Sequence, residues 1–119
     1  MNVHINVLPE VKLSEVQLTH LRIARVVANG LKVFPARIHN SVEIIGAYRL
    51  NRGPIYIVPQ RLERLNTTMN TCIHELAHHE TQAADGTIAH DEAVARITVQ
   101  VAKNAEEGKY DSLLKNALW

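Results

Sequence analysis

The chain has 119 residues, 13 of them basic and 12 acidic, for a formal net charge of +1. That length fits one domain, and that balance argues against a strongly basic nucleic-acid surface. Hydrophobic residues make up 46% of the chain and aromatic ones 4%, so there is material for a core but little for stacking on single-stranded nucleic acid.

Val3, Ile5 and Val7 alternate with polar residues and predict a first strand, which Pro9 ends. Ser14 and Gln17 have the spacing of a capping box. The helix they open carries Val16, Leu18, Leu21, Ile23 and Val27, and Gly30 supplies its stop. Leu31, Val33 and Ile38 belong to a strand region interrupted by Pro35, and Val42–Tyr48 forms another strand. Asn51-Arg52-Gly53-Pro54 is turn chemistry and leads into a strand at Ile55–Val58, making a hairpin. Pro59 suggests that Ile55–Val58 lies at a sheet edge or ends there. A helix is expected from about Asn66 to Thr81 and another from Thr87 or His90 to about Glu107, closed by Gly108. Asp111–Leu118 is a short terminal helix. The order predicts a single α+β domain over 1–119, with helices packed on a small sheet.

Cys72 is the only cysteine, so no intrachain disulfide forms and a reducing, cytoplasmic compartment is expected. The first ten residues lack the basic start and apolar run of a signal peptide, and no apolar stretch approaches a membrane span.

His74-Glu75-Leu76-Ala77-His78 is the pattern H-E-x-x-H. On a helix, positions i and i+4 lie on one face a turn apart, so two imidazoles can reach one ion. Zinc accepts histidine nitrogen at about 2.0–2.1 Å, and a catalytic site keeps a position for water. Glu75 is about 100° around the helix from His74. Its carboxylate therefore flanks the metal and can take a proton from an activated water. Leu65, Met69, Cys72, Ile73 and Leu76 cluster on the opposite side and are expected to pack on the sheet.

Such a site needs a third ligand. In the metzincin pattern it is a histidine six residues after the second, but Ala84 stands there. The downstream candidates are Glu80, Asp85, His90, Asp91, Glu92, Glu106 and Glu107. Val94, Ile97 and Val101 form the apolar stripe of the last long helix, and His90 continues it by one turn. His90 is therefore the favoured third ligand and Asp91 the runner-up, while Glu92 faces solvent. The segment Gln82–Ala89, turning at Asp85-Gly86, is long enough to fold the helix back.

The residues His74–His79, a turn, and His90-Asp91-Glu92-Ala93 resemble minimal zincins, in particular SprT-like and WLM-type intracellular metallopeptidases. Ile44–Tyr48 and Ile55–Ile57 ahead of the motif helix also resemble zincin-like modules of microbial and viral proteins. The resemblance covers roughly Val42–Val101. Ala93 and Val94 stand where SprT-like enzymes often carry an aromatic after the third histidine. It implies a small zincin-like fold, bound Zn2+ and hydrolysis of a peptide or protein substrate beside an edge strand. The alternative is a non-catalytic zinc-binding or peptide-binding module.

Other residues read more plainly. His4, His20 and His39 are scattered and expected in surface or hydrogen-bonded roles, and His79 is expected in solvent. Cys72 reads as a small core residue. Tyr48 and Tyr56 read as packing on the sheet. Arg22, Arg25, Arg49, Arg52, Arg61 and Arg64 read as solvated charges.

Overall fold

The computed structural model describes residues 4–39, 46–47 and 53–118, and all that follows concerns these. The alternating start forms β1 (His4–Val7). A 3-10 turn at Glu10–Lys12 leads to α1 (Glu15–Val27). Ser14 caps α1 as its spacing predicts: Gln17 N donates to Ser14 Oγ at 3.1 Å, and Ser14 N donates to Gln17 Oε1 at 2.9 Å. The helix stops at Asn29 and Gly30, both at positive φ (50° and 96°).

Strand β2 (Val33–His39) runs unbroken through Pro35, against the expected interruption. It pairs in parallel with β4 (Ile55–Ile57) over Val33–Pro35, then antiparallel with β1 over residues 36–39. Pro35 thus sits where the strand changes partner, and its carbonyl accepts from Leu8 N at 2.9 Å. A missing N–H is tolerated at such a handover. The short β3 (Gly46–Ala47) pairs antiparallel with β4.

The sheet order is β1-β2-β4-β3. Ile55–Ile57 is therefore an interior strand, so of the two roles Pro59 offered, edge or strand end, the second holds. Pro59 opens a 3-10 turn (Pro59–Leu62) after the strand has ended. The edge on that side is β3. The rest of the expected Val42–Tyr48 strand, and the Asn51-Arg52 half of its turn, lie outside the described residues.

Three helices follow: α2 (Leu65–Thr81), α3 (Ile88–Glu106) and α4 (Asp111–Leu118). The architecture is α+β with a mixed sheet, as expected. Leu21, Ala24 and Ala28 of the α1 segment, Val33, Ile55 and Ile57 of the sheet, Leu62 and Cys72 form one buried cluster. Fully burying a Leu, Ile or Val side chain contributes about 1.5–3 kcal/mol, so this cluster anchors both α1 and α2 on the sheet. Tyr56 packs toward Phe34, with ring centroids 6.3 Å apart, in line with a packing role. His20 Nδ1 lies 2.6 Å from Leu62 O, a hydrogen-bonded role as expected. Arg25 and Arg61 are tied in rather than merely solvated: Arg25 Nε donates to Val33 O and Arg61 Nε to Thr71 Oγ1. α4 packs back on α1, and α3 packs on α2.

Two burial expectations need correction. On α2, Leu65 is exposed and Met69 and Leu76 are only half-buried, whereas Thr68 and Thr71 are buried. The threonine hydroxyls satisfy themselves locally, Thr68 Oγ1 on Arg61 O and Arg64 O, and Thr71 Oγ1 on Thr67 O. On α3, Val94, Ile97 and Val101 are not fully buried, and only His90 and Ala93 are. Only the first turns of α3 are driven deep against α2.

Candidate metal centre

The site is built on α2, on α3 and on the turn between them. Within α2, the H-E-x-x-H spacing sets His74 and His78 one turn apart, and their Nε2 atoms come within 3.0 Å. His78 is 1% exposed, and its Nδ1 donates to Ala83 O at 2.7 Å. That bond fixes the ring, so its Nε2 is the atom directed at His74. Helix α2 ends at Gln82, which adopts the left-handed conformation (φ 58°) and returns its N–H to His78 O. The chain then turns through Ala83–Gly86. Thr87 caps α3, accepting from His90 N at 3.2 Å.

This cap drives His90 inward, where it is 2% exposed. Its ring stacks on that of His78 (centroids 4.0 Å, interplanar angle 24°) and meets His74 edge-on at 4.5 Å. His90 Nε2 lies 3.1 Å from the backbone oxygen of His74. The three imidazoles singled out by the sequence are therefore brought together. Asp91, the runner-up, is exposed and outside the group, and Glu92 is exposed as expected.

Asp85, which the sequence ranks behind His90, also joins the group. Its Oδ1 lies 2.8 Å from His74 Nε2 and 2.6 Å from His78 Nε2. Ligand atoms of His74, His78, Asp85 and His90 all lie within 4.8 Å of one another, so this group could hold a metal ion. The Asp85-Gly86 turn soon after His78 was the available signal, but a loop has no period from which its direction can be read.

The donor chemistry fits a cation. With Nδ1–H committed to Ala83 O, the other ring nitrogen of His78, Nε2, faces the Asp85 carboxylate. Two acceptors so close need a proton or a cation between them. The separations of 3.0, 2.8 and 2.6 Å are tighter, by about 0.3 to 0.7 Å, than the edge of about 3.3 Å in a tetrahedron with zinc-type bonds.

Electrostatics distinguish the members. Burial lowers the His74 pKa, with His78 and His90 adding to it against the pull of Asp85. Burial alone would raise Asp85, yet the His74 and His78 imidazoles hold its carboxyl below the usual range. Glu75 is 3% exposed and pushed up to about 8 by burial, with the Asp85 charge adding to the effect. Among the described residues, Glu75 Oε2 and His79 Nε2 are the buried side-chain polar atoms without a hydrogen-bond partner. His79 thus has a covered Nε2 and is not the solvated histidine expected; α2 is enclosed on more sides than its wheel suggested. Cys72 is a core residue as expected, its thiol pushed up to about 12 by burial and then by Glu75. That makes it inert as a nucleophile.

No family model, curated protein or solved structure matches this chain. Among the described residues, no helix is long and apolar enough to cross a membrane.

Proposed function

We propose that this chain is a zinc-dependent peptidase of the minimal zincin type, with His74, His78 and His90 as ligands and Glu75 as general base. One observation carries the reading: three imidazoles from two helices converge, and Glu75, next to His74 in the chain, has a buried carboxylate oxygen with no partner. An orphaned buried acid is costly, and such costs concentrate where chemistry is done.

The roles follow from position. His78 is oriented by Ala83 O and His90 by its stacking and the cap of its helix, so neither ring must reorganise to bind. Zinc, when bound, supplies Lewis acidity to a substrate carbonyl, lowers the pKa of a water to about 7, and adds a positive charge that favours the Glu75 carboxylate. Glu75 takes the proton of the attacking water at a carboxylate oxygen and delivers it to the leaving amine nitrogen.

The substrate class is a peptide or protein in extended form. Strand β3 is the sheet edge beside α2, and an edge strand offers backbone groups for pairing. A substrate peptide with alternate backbone amides N-methylated should then bind more weakly and show a raised KM. An unchanged KM would remove the edge-pairing part of the reading.

A second reading is favoured by Asp85. Four protein donors describe a closed structural zinc site, which braces a small domain without catalysis. Zinc-loaded protein and its Glu75→Gln variant separate the two. The peptidase reading expects the variant to keep zinc and fold while losing hydrolysis of an unstructured protein substrate. Equal hydrolysis by both proteins would refute the base assignment, and none by the wild type would leave the bracing role.

A further inference from the structure

The peptidase reading leaves a conflict within the site. An ion held by His74, His78, His90 and Asp85 together has no position left for water. Glu75 would then have nothing to deprotonate. Yet a purely bracing site has no use for a buried carboxylate oxygen without a partner on the residue that follows His74. The conflict disappears if one of the four donors can leave.

The four are not held alike. His74 and His78 stand on α2 and His90 on the first turn of α3, so their backbones are fixed by helical hydrogen bonds. His78 and His90 are almost completely buried. Asp85 belongs to the turn between the helices, and its side chain is 66% exposed. It therefore loses little hydration in its present place and regains it easily on swinging out. The turn stays anchored meanwhile. Gln82 N bonds to His78 O, and Thr87 Oγ1 bonds to Ala84 O at 2.8 Å. Ala83, two residues before Asp85, goes on holding His78 Nδ1. The loop thus separates two jobs, a fixed support for His78 at Ala83 and a detachable carboxylate at Asp85.

We propose that Asp85 is a displaceable fourth ligand, a latch that keeps the metal centre closed until an incoming oxygen donor replaces it. The proposal rests on the peptidase reading and adds regulation of the same site. The occupant that opens it carries a carbonyl or carboxylate oxygen, since that is what Asp85 itself presents. The latch makes the chain latent toward water and small anions but responsive to a substrate held by further contacts.

The test uses the full chain loaded with cobalt(II), whose visible absorption reports coordination number. Wild type, Asp85→Ala, His90→Ala and His78→Ala are compared for cobalt retention, for spectrum and for binding of acetohydroxamate, a bidentate oxygen donor. The latch predicts that Asp85→Ala keeps its cobalt and changes its spectrum. It should bind acetohydroxamate about tenfold more tightly, as expected if the closed form dominates the wild type by that ratio. Retention in both histidine variants should fall well below that of Asp85→Ala. Identical spectra and hydroxamate affinities in wild type and Asp85→Ala would overturn the latch while leaving the metal site standing. Loss of cobalt from Asp85→Ala with retention in His90→Ala would overturn it differently, making Asp85 the resident third ligand. A wild type that retains neither cobalt nor zinc removes the peptidase reading and the latch together.

Discussion

Helices α1 and α2 pack on the same small sheet and share one apolar cluster, yet they bury opposite kinds of side chain. α1 contributes Leu21 and Ala24, both fully covered, and buries no charged side chain. α2 buries Thr68, Thr71, Glu75 and His78 along with Cys72, Ile73 and Ala77. The threonines are satisfied by nearby carbonyls, but Glu75 Oε2 is not. Stability is supplied on the α1 side, and part of it is consumed on the α2 side to hold ionisable groups in a dry place. That division is what the proposed function requires, chemistry on one side and a stable support on the other.

The sharpest way to break the comparison is to fill the site. Zinc at a thousandfold excess over its Kd should stabilise the protein by about 4 kcal/mol, read as a raised Tm. His78→Ala should abolish that response, and a zinc-insensitive wild type would show that the α2 side holds no metal. Next in size is Leu21→Ala, which opens a cavity against the sheet and should cost about 3 kcal/mol in urea unfolding. Its response to zinc should be intact, because the damage lies on the α1 side.

A third test concerns Glu75 in metal-free protein. Its pKa is raised from 4.5 to about 8, so the folded state disfavours the carboxylate. Below pH 4.5 both states are protonated and there is no penalty. Between pH 4.5 and 8 the unfolded chain ionises and the folded one resists, so stability falls as pH rises, then levels off. Glu75→Gln removes this fall. It should exceed the wild type by a few kcal/mol at about pH 8 and match it near pH 4, in chelator-treated denaturation curves. A constant difference across pH would contradict the burial effect. The smallest effect belongs to Ser14→Ala, which removes the α1 cap and should cost about 1 kcal/mol without altering metal binding.

Much of the scaffold was legible because its signals are local. The Ser14–Gln17 box, the stop at Gly30 and the Asp85-Gly86 turn each act within a few residues, and the helices begin and end within about two residues of where they were expected. The convergence of His74, His78 and His90 was legible for a similar reason. Two of them are tied by helical spacing, and the third continues an apolar stripe. Pro35 misled, and Pro59 left edge and strand end undecided, because a proline reports only its own missing N–H. Pro35 sits at a handover between partners, and Pro59 begins a 3-10 turn beyond the strand.

The residue types and the i, i+4 repeat alone decided that two imidazoles and a carboxylate would share one helix, since helical geometry follows from the backbone. Only the tertiary structure decided that Ile55–Ile57 lies inside the sheet, that Glu75 is buried, and that Asp85 meets the imidazoles. Those outcomes depend on which surfaces pack together and where an aperiodic turn points, and distances of that kind are set by long-range contact rather than by neighbouring residues.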